Sequence, residues 1–333
     1  MADKPQLLTH SRIKEFLTCS QKHFYNYETG IDIISADRFA MDFGTCFHSG
    51  MESWWIGNGA APFADVIAHA LCGADGFGFD EFDRARLRAV LVGYDAYWQN
   101  NDEMETIAVE KEFRLPLINP ATGCSSRTFL LGGKIDAIVR DKSGLFWVVE
   151  HKTTTMDIST GSIYWERLTL ESQISMYIYA AKRLGIDVAG CIYDVAKRPG
   201  LKPQKAKAPD EIKYKKDGKP YKNQRLIDET SKEFFARIAQ TIIDAPSDFY
   251  RRSTIVRLDH EIEAFQRDLW QISQLIISER RADHRIKNTG ACLTPYRKMC
   301  KYFPLCTGTS DLNDPRWRKK ESRNEELSKE LTK

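Results

Sequence analysis

Across 333 residues, 42% hydrophobic and 29% charged, the chain has the balance of a soluble globular protein able to bury a sizeable core, which excludes the disordered and fibrous classes. No apolar run reaches the roughly 18–20 residues that cross a bilayer, and the opening MADKPQLLTH lacks the basic-then-apolar layout of a signal peptide. An intracellular, cytoplasmic protein with no membrane partner is therefore expected. Forty-nine Lys and Arg against 46 Asp and Glu leave only +3, so the distribution of charge says more about partners than its total.

The first hundred residues read as helical. Ile13, Phe16, Leu17 and Phe24 recur at helix-like spacing, and Asp80 to Asn101 carries apolar residues at Phe82, Leu87, Val90, Leu91, Tyr94 and Trp98. Near Glu105 the character changes: ETIAVEKEFRLPL predicts a strand, followed by TFLLGGKIDAIVR and GLFWVVEHKT, with Asp141 to Gly144 forming a short hairpin loop between the last two. A helix is predicted from about Leu168 to Leu184, then a strand in GCIYDVA. Helical periodicity resumes around Lys232 to Ile243 and Glu261 to Arg281. The order implies an α/β fold around a mixed sheet. No linker or internal repeat divides the chain, so one elaborated domain is expected over 1–310. Its parts are a helical 1–104, a β-rich core 105–198, a basic loop 199–225 and a helical, cysteine-bearing 226–310, followed by a mixed-charge tail 311–333 expected to be a solvated helix or disordered.

Charged residues interrupt two otherwise apolar strands at Gly133-Lys134-Ile135-Asp136 and Val149-Glu150-His151-Lys152. If these strands pair through the short turn, Asp136 and Glu150 project towards one point, and Lys152 shares the face of Glu150 because strand side chains repeat every two residues. Oxygen ligands of this kind suit Mg²⁺ or Mn²⁺, which keep several waters and bridge to phosphate. The bland reading, exposed charges at a hairpin end, has the same pattern.

The arrangement G-x-I-D, a turn, then E-x-K-T resembles the PD-(D/E)XK nuclease superfamily, and more closely its RecB-type branch, which includes phage, AddB-like and CRISPR-adaptation exonucleases. Further motifs stand in the family's order. His48 in FGTCFHSGME, four residues after Gly44, resembles the G-x-x-x-H motif, and Glu110 in VEKEF resembles the additional acid on the preceding strand. Gln173 and Tyr177 in SQISMYIYA resemble the Q-x-x-x-Y motif, with both on one helix face. The resemblance implies a restriction-endonuclease-like core with a helical N-terminal elaboration and a cysteine-bearing C-terminal segment. It implies a metal held by Asp136, Glu150, His48, Glu110 and the main-chain carbonyl of His151, with Lys152 positioning water and Gln173 and Tyr177 supporting the site. Hydrolysis of single-stranded DNA or duplex ends to leave a 5′-phosphate, in recombination, repair or replication and alongside proteins of those processes, follows from it. A phage origin is among those it admits. The alternative is a noncatalytic DNA-binding scaffold of a recombination or CRISPR-adaptation assembly. The lack of G-x-x-x-x-G-K-[ST] weighs against a helicase, which would need a separate motor.

Cys292, Cys300 and Cys306 are spaced C-x7-C-x5-C, where many RecB-type members have C-x2-C-x5-C, and Cys19 lies near the other end. This distribution resembles members carrying a 4Fe-4S cluster that staples the chain ends; zinc is the chemical alternative. Cys46, Cys72, Cys124 and Cys191 lack such spacing. Residues 199–225 carry nine Lys and Arg against three acids, a local charge of +6 that leaves −3 elsewhere. Lys202, Lys205, Lys207, Lys213, Lys215, Lys216, Lys219, Lys222 and Arg225, with Tyr214 and Tyr221 among them, suit a flexible loop that neutralises phosphates and stacks on unpaired bases.

Overall fold

A computed structural model describes residues 4–34, 39–57, 63–99, 104–218, 221, 224–294, 298–324 and 327. The chain opens with β1 (Gln6–Leu8), α1 (His10–Thr18), α2 (Ser20–His23), a π-helical turn Phe24–Glu28 and β2 (Ile31–Ile33). Helices α3 (Phe39–Ile56), α4 (Phe63–Gly76) and α5 (Glu81–Trp98) follow. The expected strands are β3 (Glu105–Ile118), β4 (Ser125–Arg140) and β5 (Phe146–Thr154). After α6 (Ile163–Glu166) and α7 (Ser172–Arg183) come β6 (Val188–Lys197), α8 (Ser231–Asp244), β7 (Tyr250–Ile255), α9 (Asp259–Ala282), α10 (Phe303–Thr307) and β8 (Trp317–Lys319). Local chemistry sets several starts. Asp80 accepts from the amides of Phe82 and Asp83 ahead of α5, and Thr230 with Glu233 forms a reciprocal capping box at α8.

The sheet is mixed. β3 runs antiparallel along one edge of β4, while the other edge pairs with β1 in parallel over residues 129–131 and with β5 antiparallel over 137–140. β6 joins β5 in parallel, as a strand–helix–strand crossover through α7 requires, and β7 closes the order antiparallel. Two cores cover the two faces. One packs Ile13, Ile174, Ile178, Phe265 and Leu269 of α1, α7 and α9 on Phe129, Leu131 and Val148. The other packs Phe47, Trp54, Val90, Tyr94, Phe234 and Ile238 of α3, α5 and α8 on Val139, Val149 and Ile192. The long β3–β4 hairpin serves both: Phe129, Leu131 and Ile135 belong to the first core, but Ala137 and Val139, of the same strand parity, to the second. Strand twist carried over so many residues turns one face of the hairpin from one layer to the other, and the handover falls at Asp136.

The GG pair before Lys134 is steric in origin. A Cβ on Gly133 would stand 2.6 Å from the Phe113 ring, which lies directly opposite across the ladder, and one on Gly132 would stand 2.9 Å from Leu7 of β1. The termini are also tied. β8 pairs with β2, Trp317 stacks on Tyr302, the Tyr302 hydroxyl donates to the Ile31 carbonyl at 2.7 Å and Lys301 pairs with Asp32 at 2.7 Å. The start of the tail is thus a strand rather than a solvated helix or disordered segment, because burying Trp317 drives the docking. Its residues 325–326 and 328–333 lie outside the described residues. Among the described residues, no helix is long and apolar enough to cross a membrane.

Substituting Gly133→Ala overpacks the Phe113 contact. It should cost about 1–3 kcal/mol, read as a lowered thermal unfolding midpoint, and a compensating Phe113→Leu should recover much of the loss.

Candidate active site

Three acids stand in a row across three adjacent strands. β3–β4 pairing sets Val109 opposite Ala137 and Lys111 opposite Ile135, so Glu110 faces Asp136. β4–β5 pairing ends at Ala137 opposite Val149, and the next pair along is Asp136 and Glu150. The ladder stops there because the Asp136 carboxylate substitutes for a strand carbonyl: its Oδ2 accepts the His151 amide at 2.8 Å. Glu110 adopts φ +50°, a left-handed conformation rare for a residue with a Cβ and found where strain serves a site.

Cations gather on this row from both the sheet and α3. Lys152 contacts Glu150, Lys134 contacts Glu110, and His48 Nδ1 lies 3.4 Å from Asp136 Oδ2. Among the described residues, ligand atoms of His48, Glu110 and Asp136 come within 4.8 Å of one another. Burial pushes the Asp136 carboxyl up, but His48, His151 and Lys152 outweigh it and hold it below the usual range. Glu150, 1% exposed, goes the other way: burial and then Asp136 raise it, against Lys152. Its Oε2 is buried and lacks a hydrogen-bond partner. The oxygen-rich set of His48, Glu110 and Asp136 fits a divalent cation such as Mg²⁺ or Mn²⁺; Glu150, expected as a ligand, is not within that group, though its unsatisfied buried oxygen lies on the adjoining strand. Because Asp136 holds His48 above the ordinary histidine value despite burial, cation uptake there would displace a proton.

His151 faces two ways. Its amide serves Asp136, while its ring turns into the opposite layer, where Trp55 Nε1 donates to Nε2 at 2.7 Å and Asp194 Oδ2 lies 3.3 Å from Nδ1. Asp194 in turn contacts the Tyr94 hydroxyl and lies 3.2 Å from Arg252 Nε, whose guanidinium sits 4.0 Å over the Trp98 ring. Sequence reasoning left this network out, as it left out Lys134; a buried acid inside GCIYDVA was the signal available. Gln173 Nε2 donates to the Tyr177 hydroxyl at 3.0 Å, and the Tyr177 ring stands edge-on to Phe113, the neighbour of Gly133.

The basic segment is pinned rather than a free loop. Residues 206 and 225 form a bridge, buried Glu229 accepts from the Gln204 amide at 2.8 Å and pairs with Arg237, and two of the predicted DNA contacts are engaged by acids, Lys205 by Asp228 and Arg225 by Glu233. Lys202, Lys207, Lys213, Lys215 and Lys216 are exposed, as are Tyr214 and Tyr221, whereas Lys219 and Lys222 lie outside the described residues. At the far end, Cys19, Cys292, Cys300 and Cys306 all line one cavity of about 160 Å³, together with Lys22, Lys287, Tyr302 and Phe303. Burial pushes the Cys300 and Cys306 thiols up. The four do not draw together as tightly as the carboxylate site does. Of the remaining cysteines, Cys46 and Cys191 are buried and Cys72 and Cys124 exposed.

Residues 7–307 match a family model described as the PD-(D/E)XK nuclease superfamily. No curated protein matches the chain. Eleven solved chains match, among them "Crystal structure of SSO0001", 15% identical over 70% of this chain and 82% of that one, with a TM-score of 0.21.

Glu150 sets a stability trade. The unfolded chain ionises it near pH 4.5, the folded chain only at higher pH, so its charge costs stability throughout and above that window. Metal-free Glu150→Gln should therefore be more stable than wild type near neutral pH, by about 1–3 kcal/mol. Thermal unfolding across pH should show the gain disappearing below pH 4.5.

Proposed function

The chain belongs to the PD-(D/E)XK nuclease superfamily, and on that premise we propose that it is a Mg²⁺- or Mn²⁺-dependent DNA exonuclease of the RecB-type branch, cutting single strands or duplex ends in recombination, repair or replication. The observation that supports this reading is the Glu110–Asp136–Glu150 row with Lys152 beside it in strand register. Asp136, Glu150 and the His151 carbonyl would hold the ion, with His48 completing its shell and Glu110 adjusting it. When bound, the divalent ion supplies Lewis-acid stabilisation of charge on the phosphodiester and lowers the pKa of a water.

The chain's own groups do the rest. Burial pulls the Lys152 ammonium down, but Glu150 and Asp136 more than restore it, so it stays protonated. An ammonium has three donors and no lone pair. Lys152 therefore orients the attacking water and offsets phosphate charge instead of taking a proton. Gln173 and Tyr177 brace the β3–β4 hairpin through Phe113. The exposed lysines of the basic segment would neutralise phosphates without reading sequence, and Tyr214 and Tyr221 would stack on unpaired bases. The cysteine cavity would hold a 4Fe-4S cluster in a structural role, with zinc as the alternative.

End-labelled linear DNA incubated with Mn²⁺ should be degraded by wild type. Asp136→Ala and Lys152→Ala should each lose at least about 10²–10³-fold of the rate, and covalently closed circles should be spared. Equal rates in all three proteins would reject the site; DNA binding by a wild type that never cuts would favour the scaffold alternative. For the cavity, protein purified without oxygen should be brown and contain iron, and Cys300→Ala should bleach it. A colourless preparation loaded with zinc would overturn the cluster assignment.

A further inference from the structure

One side of α1 carries residues that the core does not absorb. Ile13 and Phe16 pack into the layer below, but His10, Lys14 and Leu17, spaced to share a side of the helix, line a groove of about 300 Å³. Its other wall is the turn ahead of α7, with Arg167, Leu170 and Glu171. Leu17 is 61% and Leu170 89% exposed, so two leucines are offered to solvent from opposite walls. The charge of the groove is net positive. Lys14 and Arg167 outnumber Glu171, and that carboxylate is already committed: it caps α7 by accepting the Gln173 amide, and it has His10 Nε2 at 3.4 Å and Arg167 Nη1 at 3.8 Å.

Arg167 ties this groove to the acid row. α1 and α7 cover the face of the sheet that carries Val148, and Glu150 and Lys152 follow on that face at two-residue steps. β5–β6 pairing sets Tyr193 opposite Glu150, and the Tyr193 hydroxyl accepts from Arg167 at 3.4 Å. Arg167 also lies 4.4 Å over the Tyr164 ring and donates to the Tyr164 carbonyl at 3.1 Å. Its guanidinium is thereby held in place, with donors to spare and an exposed edge. We propose that the groove is a subsite for one unpaired nucleotide of the DNA strand, adjoining the one being cut, with its phosphate on Lys14 and Arg167 and its base against Leu17 and Leu170. The proposal rests on the nuclease reading above and narrows it. A base stacked and paired inside a duplex cannot present its faces to two leucines, so the subsite selects single-stranded DNA over a blunt end.

The test is fluorescence anisotropy of a labelled oligodeoxythymidylate and of a blunt hairpin duplex, titrated with metal-stripped protein so that nothing is cut. Wild type should prefer the single strand. Lys14→Gln combined with Arg167→Gln should weaken single-strand binding at least roughly tenfold and flatten log affinity against log salt by about 1.4, the slope that two phosphate contacts carry. Leu170→Ser, at a position too exposed to matter for folding, should weaken it at least about threefold with the salt slope unchanged. A merely structural role would not split the two variants in this way. Both should bind the hairpin and take up Mn²⁺ as wild type does. Single-strand affinity unchanged in either variant, or hairpin affinity falling in step with it, would overturn the inference while leaving the nuclease reading intact. A wild type that binds neither DNA would sink the nuclease reading and the inference with it.

Discussion

Like charges set directly across a sheet repel, and this fold places three of them on neighbouring strands at one register. Everything around the row answers that repulsion. Lys134 and Lys152 neutralise the outer acids from within the sheet, His48 reaches Asp136 from α3, and the His151 amide gives Asp136 the hydrogen bond a strand carbonyl would have received. Compensation is incomplete at Glu150, which keeps a buried oxygen unsatisfied. A buried carboxylate oxygen left in this state costs stability and is an atom that a divalent cation would engage.

Holding the acids at fixed spacing is the task of β5, and the strand is clamped from behind. An indole N–H can only donate, so the His151 Nε2 receives the Trp55 proton, while Nδ1 lies 3.3 Å from Asp194 Oδ2. The His151 ring is thereby locked between α3 and β6, with Arg252 and the Tyr94 hydroxyl fixing Asp194 in turn. One residue joins the two faces of the sheet. Its backbone defines the site, and its side chain ties that backbone to the helical layer.

Much of this was legible in the sequence, and what was not has a physical cause. The apolar runs around Asp136 and Glu150 announce strands, and the two-residue spacing of Glu150 and Lys152 announces a shared face. By contrast, β1, β2 and β8 have three residues each, too few for any periodic signal, and the arginines of YRRSTI in β7 disguise a strand whose Arg252 lies over Trp98. The strained Glu110 and the diagonal reach of Lys134 arise where the coiled hairpin passes from one core to the other, a property of the assembled layers. The basic segment looked free because its anchors, Asp228, Glu229 and Glu233, lie beyond its own boundary.

The cysteine cavity has a consequence in time. The acid row is complete once the chain has been synthesised as far as Lys152, and its sheet once β7 has emerged at Ile255. The cavity draws one wall from Cys19 and Lys22 and the rest from residues 287–307, so it comes into being only after residue 307 has been synthesised. A truncated product would possess the acids without the closure. Closure of the cavity thus reports that residues 287–307 have docked against the N-terminal helices, a step later than assembly of the acids.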